Sequence, residues 1–122
     1  MNTQGHDIEV TPVSDQVVVR VGDVIVATSS RPVLLTETGC PPRYYLPSAD
    51  VQMDLLRSSA TTSHCPFKGD ATYWSVQGGD AVAEDVVWSY TEPFPRVKEI
   101  AGLLAFWGEK PGVTIEVNGQ AT

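Results

Sequence analysis

The chain has 122 residues, 42% hydrophobic and 19% charged, a size and balance that suit one domain around one core. The 15 acidic residues against 8 basic ones leave a net charge of −7, which repels nucleic-acid phosphates and anionic membrane surfaces, so neither is an expected partner. No apolar run approaches the roughly 18 residues of a membrane span, and the opening MNTQGHDIEV lacks the basic and apolar regions of a secretory signal, so the expectation is a soluble, cytoplasmic protein.

Residues 1–12 read as a free start. Val17–Val21 and the run VIVATS from Val24 are β-branched segments separated by Gly22-Asp23, the signature of a tight hairpin in which glycine takes the positive φ. A strand at 33–38 ends at Gly39-Cys40-Pro41-Pro42, and a short aromatic strand at 43–46 is stopped by Pro47. Ser48 has the chemistry of a helix cap, with Asp50 near the positive end of the dipole. Val51, Met53 and Leu55 alternate as in a strand while Val51 and Leu55 also stand four apart, so the pattern predicts one helical turn running into a strand through Leu56. Residues 57–63 are a Ser/Thr-rich connection or edge.

Cys65-Pro66-Phe67-Lys68-Gly69 is a turn, proline pre-setting φ and glycine able to take the left-handed position. Residues 70–77 alternate, Thr72, Trp74 and Val76 to one side, Ala71, Tyr73 and Ser75 to the other. A long strand at 82–90 carries Val86, Trp88 and Tyr90 on one face. After Pro93, Phe94, Val97, Ile100, Ala101 and Leu104 recur at three and four, predicting an amphipathic helix with Pro95 in its first turn and Gly102 at its end. Residues 103–107 and Val113–Val117, around a turn at 108–112, predict a second hairpin. The sum is mainly β: a single compact antiparallel domain over residues 1–122, with one or two short helices.

Reactive groups concentrate at 61–76, TTSHCPFKGDATYWSV. A thiol becomes a nucleophile when a base or cation stabilises its thiolate, and Cys65 has His64 and Lys68 close in sequence. Neighbouring side chains in an extended backbone point to opposite faces, however, so the plainer reading is a buried structural Cys65 and a His64 bonded to backbone. Cys40, His64 and Cys65 lack the ligand spacing of a zinc site, so no metal is expected; no cofactor is called for, and both cysteines read as thiols. A second polar group lies upstream: Glu37, Arg43, Tyr44, Tyr45, Asp50 and Asp54. Asp50 and Asp54, four apart, would share a helical face and could work as acid and base, or else act as a cap and a partner of Arg57. Lys68 suits an anion contact or, equally, a turn position in solvent, and Trp74, Trp88 and Tyr90 suit the core or a pocket mouth.

The ordered motifs RYYLP-x-x-DV from Arg43, Asp54-Leu55-Leu56, T-x-HCPFKG-x-A-x-Y-x-SV from Thr62, WSY-x-x-P from Trp88 and AFW from Ala105 resemble the family known as domain of unknown function 427. The resemblance spans nearly the whole chain and implies a compact β fold of the Mss4-like or β-tent kind, shared with methionine-R-sulfoxide reductases and cereblon-type domains. Several such relatives hold zinc through paired C-x-x-C motifs, which this sequence lacks. A nucleotidyltransferase label is also attached to the family, but no phosphate loop or matching acid pair accompanies it here.

The leading expectation is a small-molecule-binding or metabolic accessory domain. Its ligand site would gather Glu37, Tyr45, Asp50, Asp54, His64, Lys68 and Trp88 around the HCPFKG turn, beside Cys65. The alternatives are an enzyme working through Cys65 and His64, nucleotidyl transfer, and an oligomeric module in which exposed strand edges and Trp107 form a homodimer seam.

Overall fold

The computed structural model describes residues 7–121. Eleven strands run in chain order: β1 (Ile8–Pro12), β2 (Val17–Val21), β3 (Val24–Ser29), β4 (Val33–Glu37), β5 (Cys40–Leu46), β6 (Leu56–Cys65), β7 (Gly69–Gly78), β8 (Ala81–Ser89), β9 (Leu104–Phe106), β10 (Val113–Val117) and β11 (Gln120–Ala121). They form a seven-stranded sheet in the order β1-β4-β5-β9-β8-β7-β6 and a four-stranded sheet in the order β11-β10-β2-β3. Every pairing is antiparallel.

Alternation explains how the two sheets stack. Val17, Val19 and Val21 of β2 are buried, and they pack with Leu46, Val76, Val87 and Phe106 of the large sheet in an inner core. Gly78 marks the closest approach: a β-carbon there would run into the backbone carbonyl of Val21. The other face of the large sheet carries a second cluster, Leu35, Tyr45, Ala71, Trp88, Tyr90 and Ala105, capped by Val97 and Ile100. Those two come from a 3-10 turn, Pro95–Ile100, kinked at Val97, where the sequence spacing predicted an amphipathic helix. The apolar spacing is met by short turns because only Val97 and Ile100 have a surface to cover.

Several expectations need correction. Within the start read as free, Ile8–Pro12 pairs along β4; residues 1–6 lie outside the described residues. Ser48 opens a 3-10 turn, Ser48–Asp50, without a side-chain cap bond, and a second turn, Met53–Leu55, separates it from β6. Between them Val51 bridges to Ala27, so this segment is neither one helical turn nor a strand. Of the two readings of residues 57–63, connection or edge, the second holds: they belong to β6, an edge of the large sheet.

The predicted second hairpin does not form. β9 pairs with β5 and β8, whereas β10 pairs with β2 and β11. The valine face of β2 offers Val113 and Ile115 partners in register, Val113↔Val21 and Ile115↔Val19, that a local hairpin would have left unused. Val86 also departs from the face of Trp88 and Tyr90 and joins the inner core. A register shift between Trp74 and Val76, with Asp85 opposite at φ 54, breaks the alternation at that point.

Candidate ligand-binding site

The outer face of the large sheet is hollowed into a cavity of about 260 Å³, lined by aromatic rings and closed at one end by an ion pair. β4 turns into β5 through Gly39, at φ +78, which sets Glu37 opposite Cys40 at the strand end. From the far edge, the HCPFKG turn folds back with Lys68 N donating to the Cys65 carbonyl at 3.2 Å. Its Lys68 carbonyl accepts from Phe94 N at 2.9 Å, so the 93–95 segment fastens the turn. The lysine side chain is thereby directed inward, and its Nζ donates to Glu37 Oε1 at 2.5 Å, the two side chains being only 11% and 8% exposed.

Burial by itself would lower the Lys68 pKa. The hydrogen bond to Glu37, with Cys65 and Tyr45 also in range, more than offsets it, and the net shift is upward. Lys68 is therefore a fixed cation and not a base at neutral pH. Burial raises Tyr45 and, far more strongly, Tyr90, whose neighbours Tyr45 and Cys65 add to the effect. Both phenols keep their protons and present O–H donors.

Trp88 holds the centre. Its Nε1 donates to the Tyr45 hydroxyl at 3.1 Å, and its ring meets those of Tyr45 and Trp107 edge to face, at 6.4 and 6.1 Å between centroids. The Arg43 guanidinium lies 5.3 Å from its ring centroid, while Arg43 Nη1 donates to Glu109 Oε1 at 2.7 Å. Tyr73, opposite Trp88 in the ladder, lines the cavity and shares a hydrogen bond of 2.9 Å with Ser63.

A family model described as Domain of unknown function (DUF427) matches residues 9–119. The chain belongs to the DUF427 family. No match was found among curated proteins.

In this DUF427 domain, four of the seven residues expected at the site converge. Glu37, Tyr45, Lys68 and Trp88 line the one cavity. His64, Asp50 and Asp54 do not. His64 is exposed on the edge strand, its Nδ1 2.6 Å from Asp70 Oδ1 and its ring against Phe94. Asp50 holds the first 3-10 turn to the end of β3, accepting from Ser29 Oγ at 2.8 Å and Arg31 Nε at 3.1 Å. Asp54 is exposed, and it is its backbone carbonyl that accepts from Arg57, at 2.9 Å. The two carboxylates thus share no helical face.

Cys65 is half-buried against the outer cluster without lining the cavity, and Cys40 lines its rim; both are free thiols. Among the described residues, no three His, Cys, Asp or Glu side chains come together as metal ligands. Trp107, read as a dimer seam, is a wall of the cavity, and Leu35, Pro41, Tyr73 and Tyr90 complete it. The signal for Tyr73 was its place in the alternation with Ala71, which faces the same outer cluster. No helix among the described residues is long and apolar enough to cross a membrane.

Proposed function

We propose that this DUF427 domain binds a small organic molecule, acting as a metabolic binding or accessory domain. The ligand would set a flat body against Trp88, Tyr90 and Trp107 and a hydrogen-bond acceptor on the Tyr45 hydroxyl. The observation that carries this reading is the direction of one hydrogen bond. An indole N–H can only donate, so Tyr45 Oη is the acceptor in its bond to Trp88. The phenol proton then has no acceptor among the described residues, and it sits in an aromatic hollow of about 260 Å³.

A thiol enzyme finds less support. The His64 ring is committed to Asp70 on an exposed strand, and Cys65 is outside the cavity wall. Nucleotidyl transfer finds less still, since the chain carries no phosphate loop and Lys68, one of the two cations of the cavity, is committed to Glu37. The cytoplasmic setting and the kinship with Mss4-like, β-tent folds belong to the same proposal.

A thermal-shift screen of metabolites and nucleotides against wild type and Tyr45→Phe tests it, because a ligand bound only by the folded state raises the melting temperature by mass action. The expected result is a compound whose stabilisation is lost in the variant. Hits equally strong in Tyr45→Phe, or a library that moves nothing, would count against the reading.

A further inference from the structure

β5 and β9 are hydrogen-bonded only at Tyr45↔Ala105 and Leu46↔Leu104. Beyond that point the chain after β9 stays with β8, Trp107 N donating to the Val86 carbonyl at 2.8 Å. The first half of β5 cannot follow it, because Pro41 and Pro42 have no N–H to extend the ladder. The large sheet therefore parts beside Arg43. The aromatic cavity lies on one face of this opening; on the other is a hollow of about 290 Å³ against Pro42, Tyr44, Phe106 and Ile115. Arg43 lines both.

A guanidinium carries five N–H donors. One of them, on Nη1, is held by Glu109, and the guanidinium carbon lies over the Trp88 ring at 5.3 Å; the other donors meet no acceptor among the described residues. Glu109 is itself 52% exposed, so it restrains the fork from the solvent side without sealing it. Lys68, by contrast, is held to Glu37 by a charge-assisted bond between side chains only 11% and 8% exposed. The cation left for a ligand is Arg43, and its planar fork matches a carboxylate. Lys68 and Arg43 are matched one to one by Glu37 and Glu109, so the cavity has no surplus of positive charge to balance a dianion.

We infer that the ligand is an aryl-substituted monocarboxylate, its ring in the Trp88–Tyr90 hollow and its carboxylate on the free donors of Arg43 at the parting of β5 and β9. Arg43 is then the residue that sets the preference for acid over neutral ligands. This rests on the binding reading above, but it can fail while that reading survives.

The probes are phenylacetate, its neutral isostere phenylacetamide, and phenyl phosphate, titrated calorimetrically into wild type, Arg43→Met and Arg43→Lys. A charge-assisted pair should make wild type prefer phenylacetate over the amide by about tenfold. Arg43→Met should abolish that preference, read as the ratio of the two affinities within the one variant; Arg43→Lys, keeping charge without the fork, should retain part of it. The melting temperature of each variant reports folding, and Arg43→Lys carries the test if Arg43→Met does not fold. Equal binding of acid and amide to wild type, a preference that survives Arg43→Met, or tighter binding of phenyl phosphate would each overturn the inference and leave the cavity reading standing. Failure of all three probes to bind wild type at millimolar concentration would overturn both.

Discussion

The indole N–H of Trp88 and the hydroxyl of Tyr45, 3.1 Å apart, tie β8 to β5 across the short strand β9. The bond is buried, so removing its acceptor leaves a desolvated donor behind. Tyr45→Phe should cost about 1–3 kcal/mol. Combined with Trp88→Phe, which removes the donor as well, the loss should be smaller than the sum of the two single losses. Urea unfolding of the four proteins of that cycle measures the coupling; strict additivity would show that the bond does not hold the cavity wall.

The Lys68–Glu37 pair follows the same logic with charges. Each side chain is about nine-tenths covered, so truncating one leaves the other a covered charge that has lost this ion pair. Lys68→Met or Glu37→Leu alone should destabilise by about 2–4 kcal/mol, whereas the double variant should recover most of that loss, since apolar replacements fill the site without a desolvated charge. Chemical denaturation again decides: a double variant worse than either single one would mean that the pair is a net source of stability.

Stability should fall on the alkaline side. Lys68, Tyr45 and Tyr90 all have folded-state pKa values raised above their unfolded ones, so the folded state retains protons that the unfolded state releases. That stability is fully present below the unfolded values, near pH 10, and is lost as pH rises through the folded ones. Asp50 works in the opposite sense: hydrogen bonds from Arg31 and then Ser29 lower its pKa. Its contribution is present above about pH 4 and lost as the pH falls through the folded value. Melting curves from pH 2 to 11 should show both limbs, and Asp50→Asn should reduce the acid limb, to which Asp85 and Glu109 also contribute, and leave the alkaline one unchanged.

Sheet stacking can be tested at Gly78. A methyl group there meets the carbonyl of Val21 in the facing sheet, and neither strand can move without disturbing the inner core. Gly78→Ala should destabilise by about 1–3 kcal/mol. Gly39→Asn, at φ +78 but with open space around it, should cost less, because asparagine tolerates the left-handed region. Equal losses at the two sites would contradict the close approach of β2 and β7.

What was legible in the sequence is local. The hairpin of β2 and β3 could be read because valine runs and Gly22-Asp23 specify it within a dozen residues, whereas Lys68 read as an anion contact and Glu37 as part of a separate polar group, with nothing local to pair them. Asp50 and Asp54 were misleading: a spacing of four implies one helical face, but Val51 is drawn into a bridge with Ala27 and splits the segment into two turns. His64 and Lys68 are four apart in one motif, yet His64 stays on the edge strand while the turn carries Lys68 inward. The partners of β9 and β10, and hence the role of Trp107, depend on pairings across most of the chain, which no local pattern encodes.

If ligand enters the cavity that Trp88 and Trp107 line, the three tryptophans of the chain allow one direct measurement. Trp88 and Trp107 line the cavity, whereas Trp74 packs against the inner core. In a proton–nitrogen correlation spectrum, titration with a stabilising compound should move the indole signals of Trp88 and Trp107 and leave that of Trp74 in place. A shift confined to Trp74, or binding that moves none of the three, would contradict the site.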